Sequence, residues 1–390
     1  MNLSPGDVNL IFLKYGMYMN DILSQIKANP LVYVEPKYCF NLFEMFHIQV
    51  IPASNEKGYT FYSHPCFCYS SALTRIKERH EQVNDSPLGL FRSPKIRAFY
   101  EQIVKDRDLS LCGNCPKYQS KELNGFATEY QMCVYFGRYG AHLFKHYENQ
   151  SFDPLPIDDV VKDGDIVPYK VALNLDAACN LHCPTCRTTP ITETFKITDQ
   201  DIQECIEVAK KSQYLIIGSD GELFMSPNYK RVLTTDFSQS SIKHIELYTN
   251  GTILTERKWN DYIHKNNEKL ISIIKVSIDA ATPETYQKVR GNHWNALQTN
   301  LEFLRQKKKE LGFEMHTTFT ISKLNACDVT KFVEAAKNMG FDKILFSFAR
   351  SQFHPEGDPD ALVIPEDKRA DIKEYLQEVA SRDIDICLDF

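Results

Sequence analysis

No apolar run in the 390-residue chain approaches the roughly 18 residues needed to cross a bilayer, so a membrane-spanning helix is not expected. The opening residues, Met1-Asn2-Leu3-Ser4-Pro5-Gly6-Asp7, lack the basic stretch and apolar core of an export signal. A basic excess is missing too. The 45 Lys and Arg against 51 Asp and Glu give a net charge of −6, which removes the general electrostatic case for nucleic-acid or anionic-membrane partners. The 11 histidines form no metal-like pair, and no serine–histidine–carboxylate set stands out. Internal repeats and low-complexity tracts are absent. The remaining composition, 43% hydrophobic and 25% charged, is that of an ordinary globular protein with room for two or three domains.

Cysteine, by contrast, is plentiful. Twelve thiols without an export signal point to a reducing, cytoplasmic compartment and to metal or redox chemistry rather than disulfides. Three of them form Cys179-Asn180-Leu181-His182-Cys183-Pro184-Thr185-Cys186, a C-x3-C-x2-C loop directly after the apolar run Tyr169–Leu175. Zinc usually takes paired units that together supply four ligands, which this triplet does not provide. A four-iron cluster fully held by protein takes one thiolate per iron. Three thiolates would leave one iron open to another ligand.

This motif resembles the signature of the radical S-adenosylmethionine (SAM) enzymes, which carry it at the end of the first barrel strand. The resemblance implies a [4Fe-4S] cluster on Cys179, Cys183 and Cys186, with SAM chelating the open iron. It implies reductive cleavage of SAM to a 5′-deoxyadenosyl radical that removes a substrate hydrogen. A flavodoxin- or ferredoxin-type electron donor follows from the same resemblance.

From residue 169 onward strand-like and helix-like segments alternate. Strands are expected at 169–176, 213–218, 243–249, 271–279, 314–321 and 342–348, with a further one over Ile384–Leu388. Helices are expected at 198–212, 226–234, 254–265, 295–311, 327–339 and 365–382. Alternation of this kind means a parallel sheet with helices outside. By resemblance it is an α/β fold with a partial (β/α)6, TIM-like barrel. The chemistry of such barrels sits at the carboxyl ends of the strands, and the remaining motifs fall there.

After the second strand, Gly218-Ser219-Asp220-Gly221-Glu222 resembles the family motif that touches the SAM amino group, with Leu223 in place of its proline. Gly221 and Glu222 are the carried-over residues. Asn250 ends the third strand, Ser277 and Asp279 end the fourth, and Arg290 resembles the arginine that pairs with the SAM carboxylate. Thr185 stands where many members have an aromatic residue. On the substrate side, Arg187 and Arg350 are candidates to face the cavity, and Cys327 and Cys387 are thiols near strand ends.

The N-terminal part has a helical periodicity over residues 1–30 and then a hairpin. Its strands are Phe46–Ile51 and Tyr59–Tyr62 around the turn Asn55–Gly58. Cys39 precedes the hairpin, Cys66 and Cys68 follow it, and Cys112-Gly113-Asn114-Cys115 forms a distant knuckle. These thiols could surround one metal, zinc or iron–sulfur. The arrangement resembles the auxiliary-cluster domains called SPASM or Twitch. That implies a second [4Fe-4S] cluster on Cys39, Cys66 or Cys68, Cys112 and Cys115. The expected organisation is therefore a small α+β auxiliary domain at 1–150, a Pro- and Asp-rich linker at 151–168, and the barrel at 169–390.

Family members with such domains commonly modify ribosomally made peptides, which makes a peptide the first substrate expectation. Oxidation or rearrangement of a sugar or aminocyclitol is the second. A non-catalytic iron–sulfur scaffold is the alternative of a different class.

Overall fold

The computed structural model describes residues 45–63, 82–94, 161–162, 165–166, 170–187, 189–349, 361–380 and 385–389. Residues 1–30, Cys39, Cys66, Cys68, Cys112, Cys115 and Cys133, the helix expected after Lys95, most of the linker and Arg350 lie outside the described residues. The chain divides into two compact units, one of residues 1–48 and 60–171, the other of 49–59 and 172–390.

In the first unit, β1 (Met45–Pro52) begins and β2 (Tyr59–Ser63) ends, and β2 pairs antiparallel with β3 (Gln82–Asn84), Phe61 opposite Asn84. A short helix α1 (Pro87–Phe91) follows, capped by the Ser86 hydroxyl and opened by Pro87. A small hairpin joins β4 (Val161–Lys162) to β5 (Asp165–Ile166).

The second unit is built on the last part of β6 (Lys170–Asn174), α2 (Asp199–Lys210), β7 (Tyr214–Ile217), α3 (Pro227–Leu233), β8 (His244–Thr249) and α4 (Glu256–Tyr262). It continues with β9 (Ile271–Ser277), α5 (Pro283–Arg290), α6 (Trp294–Leu311), β10 (Glu314–Ile321) and α7 (Val329–Asn338). Then come β11 (Lys343–Phe348), α8 (Glu366–Ala380) and β12 (Asp385–Asp389). From β6 to β12 the strands lie side by side in sequence order, and neighbours from β7 to β12 pair in parallel. Helical connections between successive parallel neighbours give the expected partial barrel.

Local sequence explains these elements. Thr198 caps α2 by accepting from Asp201 N at 3.2 Å, with Asp199 and Asp201 in its first turn. Ser226 and Thr282 cap α3 and α5, each followed by Pro at the first helical position. Gly312 ends α6 in the left-handed conformation at φ 79°.

Strand alternation sorts the two faces of the sheet. One face is apolar and packs on the helices: Phe319 and Phe346, paired in register, meet Phe332 of α7 at ring-centroid distances of 4.6 and 6.1 Å. The opposite face carries Glu246, Tyr248, Lys275, Ser277, His316 and Thr318. There Lys275 Nζ lies 2.6 Å from Glu246 Oε1 and donates to Tyr248 OH at 2.8 Å, while Tyr214 OH donates to Glu246 Oε2 at 2.6 Å. Burial works against the Lys275 charge, but Tyr248 and Glu246 outweigh it and hold its pKa above the ordinary value.

The hairpin arm 49–59 belongs to this unit and is tied to it by polar contacts. Tyr59 OH donates to Asp201 Oδ2 at 2.7 Å, Lys57 Nζ reaches the same carboxylate at 2.9 Å, and Gln49 Nε2 donates to Asp220 Oδ2 at 2.9 Å. No helix among the described residues is long and apolar enough to cross a membrane.

Candidate functional site

The chain leaves β6 through Leu175–Ala178 and enters the cysteine loop at the carboxyl end of the sheet. Asp176 fixes that exit. Its Oδ2 accepts from Ser226 Oγ at 2.7 Å and Asn228 Nδ2 at 3.1 Å, and its Oδ1 from Ala178 N at 3.3 Å. The fully buried Tyr229 hydroxyl of α3 accepts from Leu175 N at 3.1 Å and from Asp176 N at 3.3 Å. Sequence reading missed both residues. The only local signal was Ser226-Pro227 as a helix start, which says nothing of Asp176.

The loop itself turns tightly, with Cys186 N donating to Cys183 O at 3.0 Å and Cys179 N to Ile191 O at 2.8 Å. All three thiols are free, Cys183 buried, Cys179 half-buried and Cys186 exposed. Donors converge on the sulfurs. Leu181 N lies 3.4 Å and Asn250 Nδ2 3.6 Å from Cys179 Sγ, and an Arg187 guanidinium nitrogen lies 3.6 Å from Cys186 Sγ. Burial, with smaller contributions from the neighbouring thiols, pushes Cys183 up to about 11, and burial raises Cys179 as well.

Among the described residues no three His, Cys, Asp or Glu side chains converge on a single ion position. Three free thiols on one tight loop suit a cubane, which takes each thiolate on a different iron. N–H groups already directed at sulfur favour the thiolate that a metal requires. The residues present therefore fit a three-thiolate iron–sulfur centre.

Arg187, a candidate for the cavity, lies along the loop, where one nitrogen donates to Ala177 O at 2.6 Å and another meets Cys186.

The loop after β7 packs directly behind the cysteines. Gly221 has φ 70°, and a Cβ there would lie 2.6 Å from Ala178 O and 2.8 Å from Asp176 O. Its close approach is thus to the backbone before Cys179. Glu222 N donates to Ala178 O at 2.7 Å. The Glu222 carboxylate, fully buried, accepts from Phe224 N at 3.1 Å, Thr249 Oγ1 at 2.7 Å and Asn250 N at 2.7 Å. It thereby clamps the end of β8. Burial raises its pKa despite those hydrogen bonds, which act in the opposite direction.

Asn250 completes the link, since its Nδ2 also donates to Asn180 Oδ1 at 2.9 Å and its Oδ1 accepts from Thr252 N at 2.9 Å. Gly221, Glu222 and Asn250 are thus brought together with Cys179.

Asp279 and Arg290 form a second group. Arg290 donates from Nε at 3.0 Å and from a terminal nitrogen at 2.6 Å to Asp279 Oδ2, and Thr320 N donates to Oδ1 at 2.7 Å. Asp279 sits at φ 59°, a left-handed conformation uncommon for a residue with a side chain, and its carbonyl accepts from Asn325 Nδ2 at 2.9 Å. Arg290, expected to meet an external carboxylate, thus meets one from its own chain. Its charge still reaches Cys183 and lowers that thiol's pKa, against the larger effect of burial. Ser277 is half-buried, with no hydrogen-bond partner for its hydroxyl among the described residues. Cys327 is exposed, and Cys387 lies in β12 opposite Leu345.

Residues 173–336 match the family described as the Radical SAM superfamily. The chain is 30% identical over 178 residues to the AdoMet-dependent heme synthase of Methanosarcina barkeri, covering 44% of this chain and 48% of that protein. It is 22% identical over 212 residues to a probable GTP 3′,8-cyclase of Saccharolobus islandicus, covering 53% and 64% respectively. The matches thus span about half of the first relative and under two thirds of the second. Among solved structures, Streptococcus suis SuiB bound to S-adenosylmethionine aligns with a TM-score of 0.44 at 12% identity, over 70% of this chain and 64% of that one.

Proposed function

From a radical SAM superfamily domain at residues 173–336, we propose that the chain is an enzyme that holds a [4Fe-4S] cluster on Cys179, Cys183 and Cys186 and binds SAM at the open iron. The observation that carries this reading is the loop of three free thiols at the carboxyl end of β6, with N–H donors directed at two of the sulfurs. When bound, the cluster and SAM supply the electron and the 5′-deoxyadenosyl group that together take a hydrogen atom from substrate.

The protein's own part is positioning. Asp176 and Tyr229 hold the loop entrance, and Glu222 and Asn250 set the strand end beside Cys179. Arg187 places positive charge against the thiolates, which offsets their mutual repulsion. Arg290, anchored by Asp279, and the unengaged Ser277 hydroxyl are the groups assigned to the amino-acid end of SAM.

The substrate proposed is a ribosomally made peptide. Support comes from the resemblance of the Cys39–Cys115 region to auxiliary-cluster domains, which also motivates a second [4Fe-4S] cluster on Cys39, Cys66 or Cys68, Cys112 and Cys115. A cytoplasmic location and a small reducing protein as electron donor belong to the same proposal.

The test is anaerobic reconstitution followed by addition of SAM and a strong reductant. Release of 5′-deoxyadenosine is expected from the wild type and not from Cys183→Ala. Iron at about eight per chain would support two cubanes, and about four would leave the N-terminal thiols without one. Protein that takes up iron yet releases no 5′-deoxyadenosine would identify a scaffold instead.

A further inference from the structure

Helix α5 carries Tyr286 and Arg290 four residues apart, hence on one face. Arg290 meets Asp279. Tyr286 is fully buried, and its hydroxyl has no hydrogen-bond partner within the described residues. The ring is held by Trp294, edge-on at a centroid distance of 5.3 Å, so the oxygen cannot swing out to solvent without breaking that packing.

A buried hydroxyl without a partner loses its hydration and gains nothing in return. Phenylalanine would fill the same space without that loss, unless a bound group completes the bond.

The surroundings indicate where that group sits. The ionisable groups that act on the phenol are Arg290, Cys183, Asp279 and Glu222. They come from α5, the cysteine loop, the segment just after β9 and the loop after β7, the same elements that carry the residues of the proposed site. A phenol is protonated at neutral pH, so the Tyr286 hydroxyl is available as a donor.

We propose, building on the reading above, that the Tyr286 hydroxyl donates a hydrogen bond to the centre held by the cysteine loop. The acceptor is an anionic atom, either a sulfur at the Cys183 corner or the carboxylate of SAM on the open iron. Tyr286 is then a positioning and tuning residue whose hydroxyl has no partner among the described residues.

The test uses the full chain with Tyr286→Phe, which removes only the oxygen. In metal-free protein the variant should unfold at the same temperature as wild type or higher, since no protein bond is lost. A lower midpoint would show that the hydroxyl already has a partner in the chain and would overturn the proposal. In reconstituted protein, iron content should be unchanged. A sulfur acceptor predicts a lower midpoint potential and altered paramagnetic resonance of the SAM-responsive centre before SAM is added, because reduced, more negative sulfur loses a donor. A carboxylate acceptor predicts an unchanged potential and SAM binding weaker by about tenfold, the worth of one hydrogen bond to a charged group. Wild-type potential, resonance and SAM affinity together would overturn the proposal while leaving the parent reading intact. A wild-type protein that takes up no cluster would overturn both.

Discussion

Asp279 shows how a single residue at this site departs from its local preference. Its backbone is left-handed, its carboxylate is almost fully buried, and three donors from Arg290 and Thr320 hold it there. Removing one partner of a buried pair leaves an uncompensated charge, which costs about 3–5 kcal/mol. Arg290→Gln is therefore expected to lower the unfolding free energy of the metal-free protein by that amount in urea titrations. Arg290→Gln combined with Asp279→Asn should recover part of the loss, because the stranded carboxylate is gone. A double variant no more stable than Arg290→Gln alone would show that the pair is not the source of the cost.

At the scale of elements, the site depends on the loop after β7 pressing against the strand exit before Cys179. Gly221 permits this by combining φ 70° with an approach to Ala178 O that leaves no room for a Cβ. In Gly221→Ala the left-handed conformation alone costs about 1–2 kcal/mol, and the clash is with backbone, which cannot rotate aside. The expected outcome is a lower melting temperature together with reduced iron uptake on reconstitution, since the loop that moves carries Cys179. Iron content equal to wild type would mean that the two loops are not mechanically linked.

For the molecule as a whole, buried carboxyls set a pH dependence of distinctive sign. Glu222 and Asp176 both have pKa values raised by burial, above those they have in the unfolded chain. Between the ordinary carboxylate range and the raised values, the native state holds protons that the unfolded state has released. Stability from these groups is thus complete at low pH and falls as pH rises through that window. In Glu222→Gln this contribution is absent. The stability gap between wild type and Glu222→Gln should therefore narrow as pH is raised across the window, read from urea midpoints of metal-free protein. A gap that widens with pH would reverse the sign and contradict the burial argument.

Much of the fold was legible along the chain because it is carried by local periodicity. The seven strands from β6 to β12 and the helices between them follow from apolar runs, capping Ser and Thr residues, and Pro and Gly at helix ends, all short-range signals. The C-x3-C-x2-C loop is likewise contiguous, and its spacing singled out the three thiols as candidate ligands. The partners of those thiols were not legible, because tertiary folding alone brings distant segments together. Asn250 reaches Cys179 across 71 positions, Asp176 is held by residues 50 and 52 positions away, and Asp279 selects Arg290 before any ligand does. The sequence by itself determined which residues could ligate a metal and which segments become strands. Only the tertiary structure decided which buried polar atoms are satisfied within the chain and which, like the Tyr286 hydroxyl, are left for something else to meet. The physical reason is that hydrogen-bond satisfaction in a buried site is a property of three-dimensional neighbours, while ligand identity and periodicity are properties of neighbours along the chain.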